Sequence, residues 1–391
     1  MSIPAHTIHV YQRPKAGTAF IRRHFAFNYQ HSIVNNGWYD TSSCDIAVRT
    51  QGEAMAILNQ YLGCFVAVYV DNAAAPVWEG LVNRITFNAG GAAYTISLDD
   101  MANRVSVVYT GAANVAAEDA PINVTNSQAI YGIKQEQIEF GMDTSVGTQR
   151  NFLGNTVVNR KAWPQTSVTQ GQGQSNFVRL ECVGIFHTLE WEKIFTGLSN
   201  ANTSVYVAIT TWLGLVANTT TFFNNADYTR ISTANAMTAP AQLRGISIWE
   251  RFLTIAEAGD GAAYWITGIT PTDRNTGARR LYYQQANFTI EYTAMQSDGL
   301  KPRNAFGKLV PPWLVVPDRS IKVTDLLVGF DSSIQDDPTE TYIQRVMYDA
   351  NSQKVTWFGD DNTSAQAAFR LNRMNKPLSE SFGAPKRIIV T

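Results

Sequence analysis

The sequence predicts a mainly β protein with α+β parts. Three observations carry that expectation. Residues 65–109 alternate apolar and polar side chains in short runs separated by turn residues. Helical spacing is confined to a few short stretches, each bounded by a cap or a glycine. At 391 residues the chain exceeds one ordinary hydrophobic core, so it divides into several units.

Residues 1–115 read as a first β-barrel or sandwich module. Thr7 to Tyr11, Phe20-Ile21 and Phe25 to Phe27 are strand-like. Gly52 to Leu62 is a short helix with Met55, Leu58 and Leu62 on one face, ended by Gly63. Val66, Val68 and Val70 alternate, Asp71-Asn72 turns the chain, and a strand ends in Trp78-Glu79-Gly80. Ile85 to Phe87 and Tyr94 to Leu98 flank Gly90-Gly91, a hairpin signal. Val105, Val107 and Tyr109 alternate again. Residues 116–176 are polar and turn-rich and read as a linker and extended insertion. Residues 177–200 complete the barrel region: Val178, Leu180 and Cys182 share one face, Arg179 and Glu181 the other.

Residues 201–300 carry helical spacing in two places. Val205, Ile209 and Trp212-Leu213 form one stripe, capped by Thr203 or Ser204. From Ile246 to Ala258, Ser247 and Glu250 form a capping box. Trp249, Phe252, Leu253 and Ala256 are spaced i, i+3, i+4, i+7, and Gly259 ends the helix. Aromatic strands at Tyr264-Trp265-Ile266 and Leu281-Tyr282-Tyr283 follow across a turn at 270–277, giving a small helix-on-sheet domain. Residues 301–391 form a C-terminal β-rich module, with a hairpin of Tyr342–Asp349 and Lys354–Gly359 across Asn351-Ser352. A helix is expected at 365–375.

Composition narrows the function classes. Charged residues are 16% against 45% hydrophobic, and the net charge is −1. Low charge suits a surface covered by neighbouring subunits, and 11% aromatic residues argue against disorder. A nucleic-acid binder carries a basic stripe; Arg22-Arg23 and Arg279-Arg280 are isolated pairs, read as solvated strand ends. The three cysteines, Cys44, Cys64 and Cys182, stand beside apolar residues and read as buried thiols. No secretory n- and h-region opens the chain and no apolar run reaches membrane length. The expectation is a soluble protein made in a cytoplasm, with Asn-x-Ser/Thr triplets at Asn123, Asn202, Asn218, Asn287 and Asn362 that reflect composition.

No constellation reads as a catalytic or metal centre. His6, His9, His24 and His31, with Asp40 and Cys44, are possible ligands, but their spacing matches no zinc motif, and a strand sends His6 and His9 to opposite faces. Glu181, Glu190 and Glu192 invite a glycosidase reading, yet Glu190 and Glu192 on one strand do not face each other across a cleft. His187, beside Thr188 and within reach of Cys182, reads as a half-buried strand histidine. Trp78, Trp249 and Trp265 read as core. There is no G-x-S-x-G elbow and no phosphate loop. The expectation is no enzyme, with catalytic, cofactor and metal residues all none.

Several motifs occur in an order that resembles the tail-tip and baseplate-hub proteins of tailed bacteriophages. They are Trp78-x-Gly80, Asn103-Arg104-Val105-x-Val107, Tyr131-Gly132, Trp163-Pro164, Val183-Gly184 before Thr188-Leu189, the 246–258 helix with Gly259-Asp260-Gly261 and Leu281-Tyr282-Tyr283, and Ile321-x-Val323 after Pro317. The resemblance spans roughly residues 45 to 375. It implies two β-barrel-like tube modules per chain and a homotrimer with pseudo-sixfold symmetry. The ring would join a hexameric tail tube to a central tip and line the DNA channel. The implied partners are a distal tail protein or tail tube ring, a central tip or fibre protein and the tape-measure protein. From charge and hydropathy the expectation is no membrane partner in the free state and no specific nucleic-acid binding. The implied location is the virion, after synthesis in host cytoplasm. A receptor- or carbohydrate-binding tail adhesin and a hexameric distal tail protein are the alternative readings.

Overall fold

The computed structural model describes residues 4–13, 19–110, 116–140, 147–171, 176–194, 204–216, 218, 222, 245–258, 264–272, 279–324 and 340–359. It is mainly β with helices packed at the margins of several sheets. The main sheet begins with β1 (His6–Tyr11), β2 (Phe20–Phe25), β3 (Phe27–Val34) and β4 (Trp38–Ala47). Helix α1 (Gln51–Tyr61) follows, then β5 (Phe65–Val70), β6 (Trp78–Ala89) and β7 (Ala92–Ser97).

Asp71 and Asn72 take the left-handed conformation at φ 49° and 57°, and Gly90 and Gly91 do so at 59° and 80°, closing the β6–β7 hairpin. Thr50 caps α1 by accepting from Glu53 N at 3.1 Å. The buried stripe of α1 is Ala54, Ile57, Leu58 and Tyr61; the expected Leu58 and Leu62 are buried, and the expected face is corrected at Met55 alone. Met55 lies one step outside this i, i+3, i+4, i+7 stripe and is 41% exposed.

The second part of the chain adds β8 (Arg104–Thr110), β9 (Ala116–Glu118), β10 (Ile122–Asn123), α2 (Thr125–Tyr131), β11 (Gln135–Phe140), α3 (Gly147–Lys161), β12 (Gln165–Gln170) and β13 (Phe177–Val183). The main sheet runs β2-β1-β5-β6-β13-β4-β3, with β7 on β6 and β12 on β7. β2 and β3 are one strand bent at Ala26, whose N–H bonds His6 O at 2.9 Å. One half pairs with β1 and the other with β4, so the sheet rolls around a core of Val66, Val68, Trp78, Leu81, Ile85 and Leu180. Of the two expected barrel-like modules, the first takes the form of this rolled sheet; β2 and β3 follow one another without pairing, so among the described residues no sheet is a closed barrel.

The 116–176 stretch read as linker and insertion carries β9 to β12 and two helices. Val158 of α3, and Ala162 just after it, pack with Val105 of β8. The other side chains of α3 are largely exposed, which is why the sequence reads there as polar.

Beyond β13 come β14 (Lys193–Ile194), α4 (Val205–Gly214), β15 (Ile246–Ser247), α5 (Ile248–Ala258), β16 (Trp265–Ile269) and β17 (Leu281–Gln285). Ser204 caps α4, accepting from Val207 N at 3.3 Å. The capping box of α5 is reciprocal: Glu250 N donates to Ser247 Oγ at 3.1 Å and Ser247 N to Glu250 Oε2 at 2.6 Å. Trp249, Phe252 and Ala256 are buried on the expected stripe. The end of that helix at Gly259, most of the 270–277 turn and the 365–375 helix lie outside the described residues.

The last strands are β18 (Ile290–Met295), β19 (Arg303–Asn304), β20 (Arg319–Thr324), β21 (Glu340–Ile343), β22 (Arg345–Asp349) and β23 (Lys354–Phe358). β18 to β21 form a sheet of their own, whereas β22 adds to β3 and carries β23 with it. The chain therefore ends, within the described residues, on the sheet where it began. No described helix is long and apolar enough to cross a membrane.

Two motif glycines mark close approaches. The indole of Trp78 lies over Gly80, where a Cβ would meet Val183 O at 2.2 Å and the indole at 2.3 Å. At Gly184 a Cβ would stand 1.6 Å from Tyr39 O. Gly184→Ala is therefore expected to destabilise the fold by roughly 3 kcal/mol, read from the denaturant midpoint. Gly214→Ala, with nothing within 4 Å of its Cβ, is expected to leave stability unchanged or raise it by up to about 1 kcal/mol. Equal effects of the two substitutions would contradict this packing.

Candidate functional site: a charged cleft at the 184–194 segment

The expected strand from Phe177 to Phe195 stops at Val183. Gly184 permits the approach to Tyr39, and a 3₁₀ turn, Ile185–Leu189, follows. This turn and the start of β11 border a cleft of about 560 Å³ whose lining includes Asp99, Lys134, Glu136, Lys161, His187 and Glu190.

Several of the charges in the cleft are paired. Lys161 Nζ bonds Glu136 at 2.7 Å. His187 donates through Nε2 to Asp40 at 3.1 Å and through Nδ1 to Glu190 at 3.0 Å. Asp40 also accepts from Ser32 Oγ at 2.8 Å and Arg345 Nη2 at 3.3 Å, tying β3 and β22 to the same carboxylate. Lys134 is buried, donates to Leu98 O and lies 4.8 Å from the centre of the Trp191 ring. Burial lowers its pKa to about 8 against the opposing pull of Asp99, Asp100 and Glu190.

Asn103 fixes the back wall. Its Nδ2 donates to Gly132 O at 2.8 Å and Ser127 Oγ at 3.2 Å, and its Oδ1 accepts from Lys134 N at 2.8 Å. Gly132 holds φ 78°, and a Cβ there would meet Phe222 at 2.6 Å. Two motifs 29 residues apart are thus bonded to each other. Asn218 extends the network to Ile133 and Glu192.

The sequence candidates do not assemble into a catalytic pair. Glu190 and Glu192 do not share a strand face: Glu190 sits on His187, whereas Glu192 is buried against Arg104 at 3.2 Å. Glu181 lies on the outer sheet surface with Arg84 at 3.2 Å. Cys182, Cys44 and Cys64 are free and buried, and burial raises each thiol pKa. Thr188 Oγ1 is spent on Ile185 O at 2.7 Å. His187 has both ring nitrogens on carboxylates, so no lone pair remains to take a proton from a nucleophile.

His6 and His31 are buried beside Tyr29 and Tyr348. His24 bonds the Tyr61 hydroxyl at 2.8 Å, and the His9 ring packs tilted against Tyr69 with centroids 4.5 Å apart. No group of three or more His, Cys, Asp or Glu side chains among the described residues is arranged to hold a metal.

Trp78, Trp249 and Trp265 are core. Arg279 is not a solvated strand end: it lies over the Phe65 ring at 4.2 Å. Arg22 pairs with Glu53 at 3.3 Å and Arg23 with Asn72 at 2.8 Å. Asn218 is buried; Asn202 and Asn362 lie outside the described residues. Sequence reasoning missed Lys134, Lys161 and Asp99, because a buried lysine in a polar run has no local signature.

The histidines set opposite limits on stability. Burial drives His31 down to about 3 and His24 to about 4. Both are neutral in the fold and charge only on unfolding, so their contribution is complete above 6.5 and declines as the pH falls toward those values. In His187 burial opposes the charge, but the hydrogen bonds of Asp40 and Glu190 outweigh it and raise the pKa to about 9. That contribution is complete below 6.5 and disappears as the pH rises through 9. Thermal unfolding across the pH range is expected to peak near 6.5. His187→Gln should flatten the limb from 6.5 to 9, where the bridge is worth on the order of 3 kcal/mol. An alkaline limb unchanged in that variant would contradict the charged bridge.

No family model matches the chain, and no curated protein does. Among solved structures it is similar to the 43 kDa tail protein of prophage MuSo2 from Shewanella oneidensis, at 8% identity and a TM-score of 0.36, covering 88% of this chain and 92% of that one. It is also similar to a chain of a lidless PdpA–VgrG complex, at 7% identity and a TM-score of 0.30, covering 89% of this chain and 54% of that one. A half-lidded Francisella PdpA–VgrG complex gives 8% identity and a TM-score of 0.30, covering 92% and 49%. The chain spans about half the length of those two. At these scores the likenesses carry no functional argument.

Proposed function

We propose that the chain is a structural, non-enzymatic protein of a phage tail tip. In this reading it is a hub whose homotrimeric ring joins the hexameric tail tube to the central tip and lines the DNA channel of the virion. The observation that supports this most is the bonding of Asn103 to Gly132 and Lys134. Residues singled out by their resemblance to hub proteins serve here to hold strands together rather than to bind or react. Trp78 over Gly80, and Gly184 against Tyr39, act in the same way.

The engagement of His187 by two carboxylates argues in the same direction, since it leaves the most enzyme-like histidine without a base function. Partners in this reading are a second and third copy of the chain, a distal tail protein or tube ring, a tip or fibre protein and the tape-measure protein. Light scattering of the purified protein, followed by averaged negative-stain images, tests it. The expected result is a trimer with pseudo-sixfold rings. A stable hexamer would favour a distal-tail ring, and a monomer that binds host polysaccharide would favour an adhesin.

A further inference from the structure

We propose that the turn Asn304–Gly307 is a docking tip that seats Phe306 in the interface of an anionic lipid bilayer. Phe306 is 94% exposed, more than any other large apolar side chain among the described residues. Its loop is nonetheless held in one shape by hydrogen bonds. Asn304 Oδ1 accepts from Phe306 N and Lys308 N, each at 3.0 Å. Gly307 N donates to Asn304 O and Asn304 N to Lys308 O, each at 2.9 Å. Gly307 takes φ 72°, and Arg303 Nη1 bonds its carbonyl at 3.1 Å. A phenyl ring displayed on so ordered a turn loses little freedom on binding.

The charges around the ring select the partner. Lys301 and Lys308 are exposed; Lys301 stands near Asp298, and no ion pair involves Lys308 among the described residues. The one acid of the segment, Asp298, is engaged by Arg303 at 2.8 Å. Leu300 and Leu309 add exposed apolar surface at 40% and 44%. A convex knob is received either by a preformed pocket or by a deformable surface such as a bilayer. An aromatic ring flanked by lysines suits the headgroup level of a bilayer, with the ring below and the ammonium groups reaching lipid phosphates. The expectation of no membrane partner rested on the lack of a spanning run; an interfacial tip needs none. One ring and two lysines attach a single copy weakly, and attachment strengthens when several copies present the tip together.

Sedimentation with phosphatidylcholine vesicles, with and without phosphatidylglycerol, tests this. The protein is expected to bind the anionic vesicles at low salt, to leave them at high salt, and to ignore the neutral ones. Phe306→Ser should lower partitioning about tenfold, and Lys301→Glu with Lys308→Glu should abolish it. Phe152→Ser, at a 75% exposed ring on α3, should change nothing. Both phenylalanine variants should keep the parent unfolding temperature, because neither ring is packed. Absence of binding to anionic vesicles, undiminished binding by Phe306→Ser, or an equal loss in Phe152→Ser would overturn the proposal. So would a Phe306→Ser effect confined to the oligomeric mass, which would make the tip a protein contact.

Discussion

The architecture depends on one turn. Between β3 and β4 the chain passes through Asn35, Asn36 and Gly37, and this turn docks into the β16–β17 hairpin. Gly37 N donates to Thr267 O at 2.8 Å, Ile269 N to Gly37 O at 3.2 Å, and Thr267 N to Asn36 Oδ1 at 3.1 Å. Tyr282 donates its hydroxyl to Asn35 O at 2.7 Å. The contact is backbone on backbone and demands glycine on both sides: a Cβ on Gly37 would stand 2.6 Å from Phe186, and one on Gly268 2.4 Å from the Tyr282 hydroxyl. From here the polar network reaches the last sheet. Tyr342 donates to Asp318 at 2.9 Å, and Asp318 accepts from Asn287 N at 2.7 Å. Burial raises the Asp318 pKa against these bonds. The rolled sheet, the helix-on-sheet unit and the C-terminal sheet all meet at this turn.

Such a joint suits a protein whose task is to hold position. Buried polar networks are costly when half satisfied and rigidifying when complete. Those around Asn35, Asn103 and Asp40 each tie together segments far apart in the chain. The cleft beside the 184–194 segment shows the same pairing: Lys161 lies on Glu136, and His187 on Asp40 and Glu190. Resemblance to hub proteins and this distribution of bonds are separate lines of support for the tail-tip reading. One comes from the order of motifs, the other from what their side chains touch.

Much of the local structure was legible in the sequence. Ser247 and Glu250 announced a capping box, Gly90-Gly91 a hairpin, and the Trp249–Phe252–Ala256 spacing a buried face, because each is decided by neighbours within a few residues. What escaped was non-local. Nothing near Ala26 signals that its strand changes partners there, nor does anything near Val346 say that its strand will join β3. The insertion at 116–176 hid a helix because α3 buries only a narrow strip. The candidate site was less legible still. His187 and Glu190 were each noticed singly, but Asp40 reaches His187 from β4 and Lys134 enters the cleft just before β11, both distant in sequence. Asn103 and Gly132 were noticed as motifs, whereas their mutual bond belongs to the fold.

The central claim is that the docked turn makes the described sheets one rigid body. Native-state hydrogen exchange of the Gly37, Thr267 and Ile269 amides tests it most directly. The account predicts that these amides open only with the core, with exchange free energies within about 1 kcal/mol of those of Val66 and Val68 on β5. Exchange of the three amides at much lower free energy, with β5 still protected, would show that the turn opens by itself and would contradict the account.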